Sequence, residues 1–335
     1  MKIGKKIANA FVCMAVSGLC MACGADKVKT EKKGANAKQE VTVAVPEFDA
    51  DSAYQYVKEQ VDFGPRVPNM KGHVACGQYL ADKLEAYGAQ VYNQFVDLTR
   101  YDGQVMKSRN IIGAYRPELK KRVALFAHWD TRPWADKDAD ASKHHTPILG
   151  ANDGASGVGV LLEIARQLQK QAPAIGIDIV LFDAEDSGAP DFYTGTHQDT
   201  YWCLGSQYWS RIPHTEGYHA RFGILLDMVG GKGARFYKEA YSLRCAKSVV
   251  NKVWQAAAEA GYGSYFIPED GGGATDDHLF VNEIAGIPTV DIIPMDEDYG
   301  FGAFWHTVGD NMEVIDRATL KAVGQTLLHI IYNEK

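Results

Sequence analysis

Residues 177–188 decide the fold and read Ile-Asp-Ile-Val-Leu-Phe-Asp-Ala-Glu-Asp-Ser-Gly. The apolar, β-branched first half predicts a buried strand, which ends abruptly at acidic residues and then breaks at Ser187 and Gly188. In open parallel sheets, the carboxyl ends of the strands are where ligands bind. Adjacent carboxylates at the edge of an apolar sheet are costly unless a cation lies beside them. The stretch therefore indicates either a metal site or an ordinary solvated acidic loop.

Two other apolar runs also end in potential metal ligands. Residues 123–127 lead into His128, and residues 222–226 lead into Asp227. Because the carboxyl ends of parallel strands meet at one edge of a sheet, three such endings predict a shared site. Zinc binds histidine nitrogen and carboxylate oxygen, and a catalytic zinc keeps three protein ligands and one open position. A metal site at this edge is therefore the favoured interpretation.

A glycine-rich turn at residues 149–157 places Asp153 at the start of a predicted helix. Aspartate is common at helix starts, so this residue alone is equally compatible with a capping role. The turn has no lysine of a phosphate-binding loop, and no G-x-G-x-x-G pattern follows a strand, so nucleotide binding is not indicated.

Strand-like and helical segments alternate through the body of this 335-residue chain. The alternation predicts a single α/β domain, with a mixed, mostly parallel central sheet and helices on both faces. The predicted strands are residues 90–96, 110–115, 122–128, 177–182, 222–226 and 287–293, and the main helices are 51–61, 74–87, 158–168, 243–260 and 316–332. The long loop at 189–209 is rich in aromatic residues, which favours a functional loop.

The first 22 residues have the pattern of a secretory signal, with three lysines followed by a short apolar segment. Their end is similar to a bacterial lipoprotein cleavage site, with lipid attachment expected at Cys23 and simple cleavage as the alternative. Residues 23–44 are polar and predict a flexible tether, so the catalytic domain is expected at 45–335. We expect an exported, periplasmic protein that contacts the membrane only through its lipid anchor.

The charge distribution bears on the choice of partner. The formal net charge of −7 conceals a more acidic body, because lysines cluster in the first 38 residues. An acidic body argues against nucleic acid as a partner. The body cysteines, Cys76, Cys203 and Cys245, are widely spaced and form no metal motif, and an odd number leaves at least one of them unpaired, so packing is their expected role. We expect the domain to be a monomer.

Taken together, these residues resemble the family of exported zinc aminopeptidases and, within it, the glutaminyl-peptide cyclotransferase branch. The resemblance extends from Phe63-Gly64-Pro65-Arg66-Val67-Pro68 to the final helix. The residues that carry it in both branches are His128-Trp129-Asp130, Asp153, Glu185-Asp186, Asp227 and His306. The segments Asp276-Asp277-His278-Leu279-Phe280, Gly286-Ile287-Pro288 and Trp305-His306-Thr307 are similar to the cyclase branch in particular.

The resemblance implies cyclisation of the N-terminal glutamine of peptides and proteins to pyroglutamate, with loss of ammonia. It implies one Zn²⁺ per chain, held by Asp153, Asp186 and His306. Glu185 would shuttle the proton. The other expected site residues are Asp227 and Asp276 in a carboxylate network, Trp305, Phe304 and Tyr193 around the substrate side chain, and His128 as a second-metal ligand or a supporting residue.

Two departures from the cyclase pattern stand beside two alternative functions. Animal cyclases have Glu where this chain has Asp186, and Cys where it has Ala127. A dinuclear zinc aminopeptidase, with Asp153 bridging two metals, uses the same ligands. A non-catalytic peptide-binding lipoprotein is the third possibility, against which the intact Glu185 argues. His278 is expected to orient a carboxylate.

Overall fold

A mixed six-stranded sheet lies at the centre of the computed structural model, which describes residues 44–295 and 300–335. The strands in these ranges are β1 (Gln90–Thr99), β2 (Val105–Tyr115), β3 (Arg122–His128), β4 (Gly176–Phe182), β5 (Gly223–Leu226), β6 (Phe236–Lys238), β7 (Phe266–Asp270) and β8 (Thr289–Ile292). The sheet has the order β1-β2-β4-β3-β5-β8, and β6 and β7 form a separate parallel pair. Strands β4, β3, β5 and β8 run parallel, whereas β2 is antiparallel to both of its neighbours. The predicted fold class is confirmed.

The helices lie on both faces of this sheet. In the described ranges they are α1 (Ala50–Val61), α2 (Lys71–Ala86), α3 (Ala155–Lys170), α4 (Leu204–Arg211), α5 (Ala240–Glu259), α6 (Asp277–Phe280) and α7 (Arg317–Asn333). Within β3, Leu125 belongs to the core formed with α1, α2, α3, α5 and α7, whereas its neighbour Phe126 packs with Trp209 of α4 on the opposite face. Burial on both faces explains why β3 and β4 are apolar at nearly every position.

The register brings the predicted ligands to one edge. His128, the last residue of β3, pairs with Phe182, the last residue of β4. The two strands therefore end level with each other, and the acidic turn after β4 lies beside His128. Asp227 directly follows β5, which pairs with β3 on its other side. The prediction of a shared edge is therefore correct.

A glycine brings α3 to the same edge. A Cβ atom on Gly157 would lie 2.4 Å from the carbonyl oxygen of Leu226, at the end of β5, so only glycine allows the first turn of α3 to approach so closely. Asp153, two residues before α3, is thereby placed against the strand ends.

Several boundaries differ from the predictions. Strand β2 begins at Val105 because it pairs with β1 as a hairpin over ten positions. The predicted loop 189–209 gives way to α4 at Leu204. The predicted leader, Cys23 and nearly all of the tether lie outside the described residues. Within the described ranges, no helix combines the length and apolar character needed to span a membrane.

Candidate active site

Asp153, Asp186 and His306 converge at the carboxyl edge of the sheet. Nε2 of His306 lies 3.1 Å from Oδ1 of Asp186 and 3.5 Å from Oδ2 of Asp153. The first carboxylate comes from the turn before α3, the second from the turn after β4, and the imidazole from the loop that precedes α7. All three side chains are buried. The fold thus brings three residues that are far apart in the sequence into one group of potential ligands.

The electrostatics of this group fit a metal ion. Burial, followed by the positive charge of Arg132, holds the pKa of His306 well below its usual range, so the imidazole is neutral and has a free lone pair. Burial and the charge of Asp153 raise the pKa of Asp186 well above its usual range. Oδ2 of Asp186 is buried and has no hydrogen-bond partner in the described part of the chain. A cation among these atoms would relieve both the repulsion and the unmet hydrogen bond.

A second potential ligand group shares Asp153 with the first. Nε2 of His128 lies 3.0 Å from Oδ1 of Asp153 and 3.2 Å from Oδ1 of Asp227. Asp153 therefore presents one oxygen to His128 and the other to His306. Burial alone lowers the pKa of His128, but the nearby carboxylates of Asp130, Asp153 and Asp227 outweigh it and raise the pKa well above its usual range. A protonated His128 thus provides a positive charge at this second position.

Glu185 lies in the turn that follows β4. Its backbone N–H donates to Oδ1 of Asp130 at 3.1 Å, and its carbonyl oxygen accepts from the N–H of Cys203 at 2.9 Å. The preceding residue, Ala184, has a φ of 54°, a left-handed conformation that is strained for alanine. These contacts hold a tight turn in which Glu185 and Asp186 face different parts of the site.

The surroundings of Glu185 suit proton transfer. Burial, followed by the negative charges of Asp186, Asp276 and Asp277, raises the pKa of Glu185 well above its usual range, although His128 opposes the shift. A carboxyl group with a raised pKa exchanges protons more readily near neutral pH. One neighbour of Glu185 is not predicted from the sequence, because an isolated Cys203 indicates only packing. Its Sγ donates a hydrogen bond to Oε1 of Glu185 at 3.2 Å.

Further carboxyl groups lie behind Glu185. Burial is the main cause that raises the pKa of Asp227 to about 7, and it also raises that of Asp276, the N-cap residue of α6. Nε2 of His278 lies 3.0 Å from Oε2 of Glu239, and its Nδ1 lies 3.5 Å from Oδ2 of Asp291. His278 therefore lies between two carboxylates, and its orienting role stays a prediction.

A cavity of about 290 Å³ opens onto these groups. The residues that line it and that could take part in the chemistry are Asp153, Glu185, Asp186, Asp227, Asp276 and His306. Trp202, Phe301 and Trp305 supply its aromatic wall. The ring of Trp305 stacks on His306 at a centroid distance of 3.9 Å, and that of Trp202 lies parallel to His306 at 6.1 Å.

Two of the three expected wall residues lie elsewhere. Tyr193 does not line the cavity, because its ring packs against Tyr101 at 4.8 Å. Phe304 also lies outside the lining and packs against Gly231. Trp202 takes the place expected for Tyr193, because the loop returns to the turn after β4, where the indole covers Gly188. The sequence does not indicate which aromatic residue of a loop faces a cavity, because that depends on the path of the loop.

The family model for peptidase family M28 matches residues 110–331, which include every residue of both ligand groups. The chain belongs to peptidase family M28. The match runs from within β2 into α7, so it covers the four parallel strands of the central sheet and leaves out β1.

Solved structures similar to this M28 protein have two different names. A glutaminyl cyclase from Bacteroides thetaiotaomicron bound to N-acetylhistamine is 67% identical, covering 87% of this chain and 100% of that chain, with a TM-score of 0.87. A protein of the same organism described as a leucine aminopeptidase precursor is 66% identical, covering 88% and 100% of the respective chains, with a TM-score of 0.86. A glutaminyl cyclase from Tannerella forsythia is 57% identical, covering 87% and 100%, with a TM-score of 0.85.

Proposed function

We propose that this chain cyclises the N-terminal glutamine of peptides and proteins to pyroglutamate and releases ammonia. The observation that carries the proposal is the position of Glu185, a buried carboxyl group with a raised pKa that shares one small cavity with a potential metal-ligand group. The similarity to glutaminyl cyclases from two bacteria, at 67% and 57% identity, supports the same reaction.

In this reaction the α-amine of glutamine attacks its own side-chain carbonyl carbon. A C–N bond closes the five-membered ring, and the bond to the amide nitrogen breaks to release ammonia. Glu185 accepts the proton from the attacking amine and returns it to the leaving nitrogen. Asp227 and Asp276 line the same cavity, and the negative charge of Asp276 favours the protonated form of Glu185 between the two transfers.

We propose that Asp153, Asp186 and His306 hold one Zn²⁺. Support comes from the neutral imidazole, from the oxygen of Asp186 that has no hydrogen-bond partner among the described residues, and from the mixed nitrogen and oxygen donor set. A Zn²⁺ ion held by these three residues would supply a positive charge that polarises the side-chain amide carbonyl. Trp202 and Trp305 restrict the cavity beside His306 and hold the flexible glutamine side chain near its attacking amine.

We further propose a single zinc per chain, with His128 and Asp227 engaged in hydrogen bonds. In support, Nε2 of His128 already lies within 3.2 Å of both carboxylates that a second metal would need. Cyclisation brings its own nucleophile, whereas peptide hydrolysis needs an activated water, so a second metal has no evident role in cyclisation.

A dinuclear zinc aminopeptidase is the second candidate function. It is favoured by the bridging position of Asp153, whose two oxygens face His128 and His306. The aminopeptidase description of a protein 66% identical to this chain agrees with it.

One experiment separates the two functions. The purified protein is incubated with a glutamine-initiated peptide and, separately, with leucine- and alanine-initiated peptides, while free ammonia and free amino acids are measured and bound zinc is counted. We expect ammonia from the first peptide, no amino-acid release from the others, and about one zinc per chain. Two tightly held zincs together with amino-acid release and no ammonia would establish the aminopeptidase instead.

We also propose that the protein is exported to the periplasm, is tethered to a membrane by a lipid on Cys23, and acts as a monomer. The lysines and short apolar segment of the first 22 residues, followed by a polar stretch to residue 44, support the export signal and the tether. Size-exclusion chromatography with light scattering tests the monomer.

A further inference from the structure

A buried arginine lies behind the proposed metal ligands. Arg132 is only 1% exposed and forms a two-pronged contact with Asp136, in which Nε donates to Oδ1 at 2.7 Å and Nη2 donates to Oδ2 at 2.6 Å. Its remaining nitrogen, Nη1, donates to the backbone oxygen of Asp186 at 3.2 Å and to Oδ1 of Asp186 at 3.4 Å. One guanidinium group therefore joins a potential ligand to a second carboxylate.

That second carboxylate faces the other ligand. Oδ1 of Asp136 lies 3.8 Å from Nδ1 of His306, which is buried and has no hydrogen-bond partner within the described ranges. The residue after Asp136 holds the same loop, because the N–H of Lys137 donates to the carbonyl oxygen of His306 at 3.1 Å. The guanidinium carbon of Arg132 also lies 4.6 Å from the centre of the Trp202 ring, which is parallel to His306.

We propose that Arg132 and Asp136 are a positioning pair for the metal ligands Asp186 and His306. The negative charge of Asp136, 3.8 Å from Nδ1 of His306, favours the ring proton on Nδ1, which leaves the Nε2 lone pair facing Asp153 and Asp186. Arg132 fixes Asp136 in this role and holds Asp186 by its backbone and its carboxylate. The inference rests on the metal site of the proposed function. Supporting residues of this kind change metal affinity about 10- to 100-fold.

A second buried arginine–aspartate pair in this chain serves as a control, because it tests whether a loss of zinc affinity reflects positioning of the ligands or a general loss of stability. Arg122, at the start of β3, makes the same two-pronged contact with Asp178, with both nitrogen–oxygen distances at 2.6 Å. This pair is also buried. Its further contacts are to backbone oxygens and to Tyr218, away from the cavity. The two pairs therefore differ chiefly in whether they touch the proposed ligands.

The experiment compares four variants of the full domain: Arg132→Lys, Asp136→Asn, Arg122→Lys and Asp178→Asn. Lysine retains the charge but loses the fork, and asparagine retains the shape but loses the charge. Zinc affinity is measured without substrate, by competition with a chromophoric chelator, and the visible spectrum of bound Co²⁺ reports the ligand geometry. Thermal unfolding of the metal-free variants measures any loss of stability.

We expect Arg132→Lys and Asp136→Asn to bind zinc about 10- to 100-fold more weakly and to alter the Co²⁺ spectrum, and the Arg122 and Asp178 variants to stay within about threefold of the wild type. If Arg132→Lys does not fold, the milder change Asp136→Asn tests the proposal by itself. Wild-type affinity in both site variants, or equal losses in the two pairs, would overturn the positioning role. Failure of the proposed function has a different signature, because the wild-type protein itself would then release no ammonia from a glutamine-initiated peptide.

Discussion

Glu239 links the start of α5 to the segment that carries Asp276. Its carboxylate accepts the N–H of Tyr241 at 2.8 Å and that of Ser242 at 2.5 Å, which caps α5. It also accepts the N–H of Ala274 at 3.1 Å, and it lies 3.0 Å from Nε2 of His278. The side chain is fully buried. The carboxylate of Glu239 thus stabilises the start of α5 and also binds residues on either side of Asp276.

Glu239→Gln keeps this shape and removes the charge. Burial by itself raises the pKa of Glu239, but the hydrogen bond and charge of His278, followed by the amides of Ser242 and Tyr241, lower it from 4.5 to about 2. A carboxyl group with a lowered pKa contributes stability above its unfolded pKa and loses that contribution as the pH falls from 4.5 toward 2. The lowering corresponds to about 3 kcal/mol at neutral pH, and less than half of it remains near pH 3.

Urea unfolding, followed by circular dichroism at pH 7 and pH 3, measures this difference. We expect Glu239→Gln to be less stable than the wild type by about 3 kcal/mol at pH 7, with a much smaller gap at pH 3. The matched control is Glu47→Gln, which removes an exposed ion pair with Lys321 and should change little at either pH. An equal loss of stability at both pH values would refute the assignment of this energy to the ionised carboxylate.

Three further predictions concern the site and the anchor. Glu185→Gln should retain zinc but lose turnover by at least about a hundredfold, whereas Asp186→Ala should lose the metal, and metal analysis with the reverse pattern would exchange their roles. Trp202→Ala should raise KM for a glutamine-initiated peptide by about tenfold, because it removes one wall of the cavity. Tyr193→Phe should leave KM unchanged. A larger increase in KM for the Tyr193 variant than for the Trp202 variant would show that Tyr193 lines the cavity after all. Cys23→Ser should release the protein from membranes into the soluble fraction with its activity intact, and unchanged detergent-phase partitioning would reject the lipid anchor.

The strand ends could be predicted from sequence because each carries its own local signal. An apolar run of strand length that stops at a histidine or an acid identifies both the strand and the ligand, as at His128 and Asp227. Parallel pairing then places those ends together without further information. The loops carry no such signal. Trp202 and Tyr193 belong to one aromatic segment, and the choice between them depends on the return of the chain to Gly188, a contact that local sequence does not encode.

The residues that support the site could not be predicted from the sequence for a different reason. Arg132 and Asp136 are four positions apart, a spacing typical of an exposed ion pair, and Cys203 is an isolated thiol. Their contacts with the site residues form only when the chain folds and the turn after β4 packs against them. Burial then turns an unremarkable charge pair into a fixed neighbour of Asp186.

The choice between one metal and two is likewise set by geometry and protonation, since the ligand types are the same in both cases. Asp153 can bridge two cations, and in this structure its oxygens face His128 on one side and His306 on the other. The two imidazoles differ in charge: burial and Arg132 keep His306 neutral, whereas the surrounding carboxylates raise the pKa of His128. A neutral imidazole is a metal ligand, and an imidazolium is itself a cation. The proposal of a single zinc therefore assigns a proton to His128 in the position that a second metal would occupy in a two-metal hydrolase built from the same five residues.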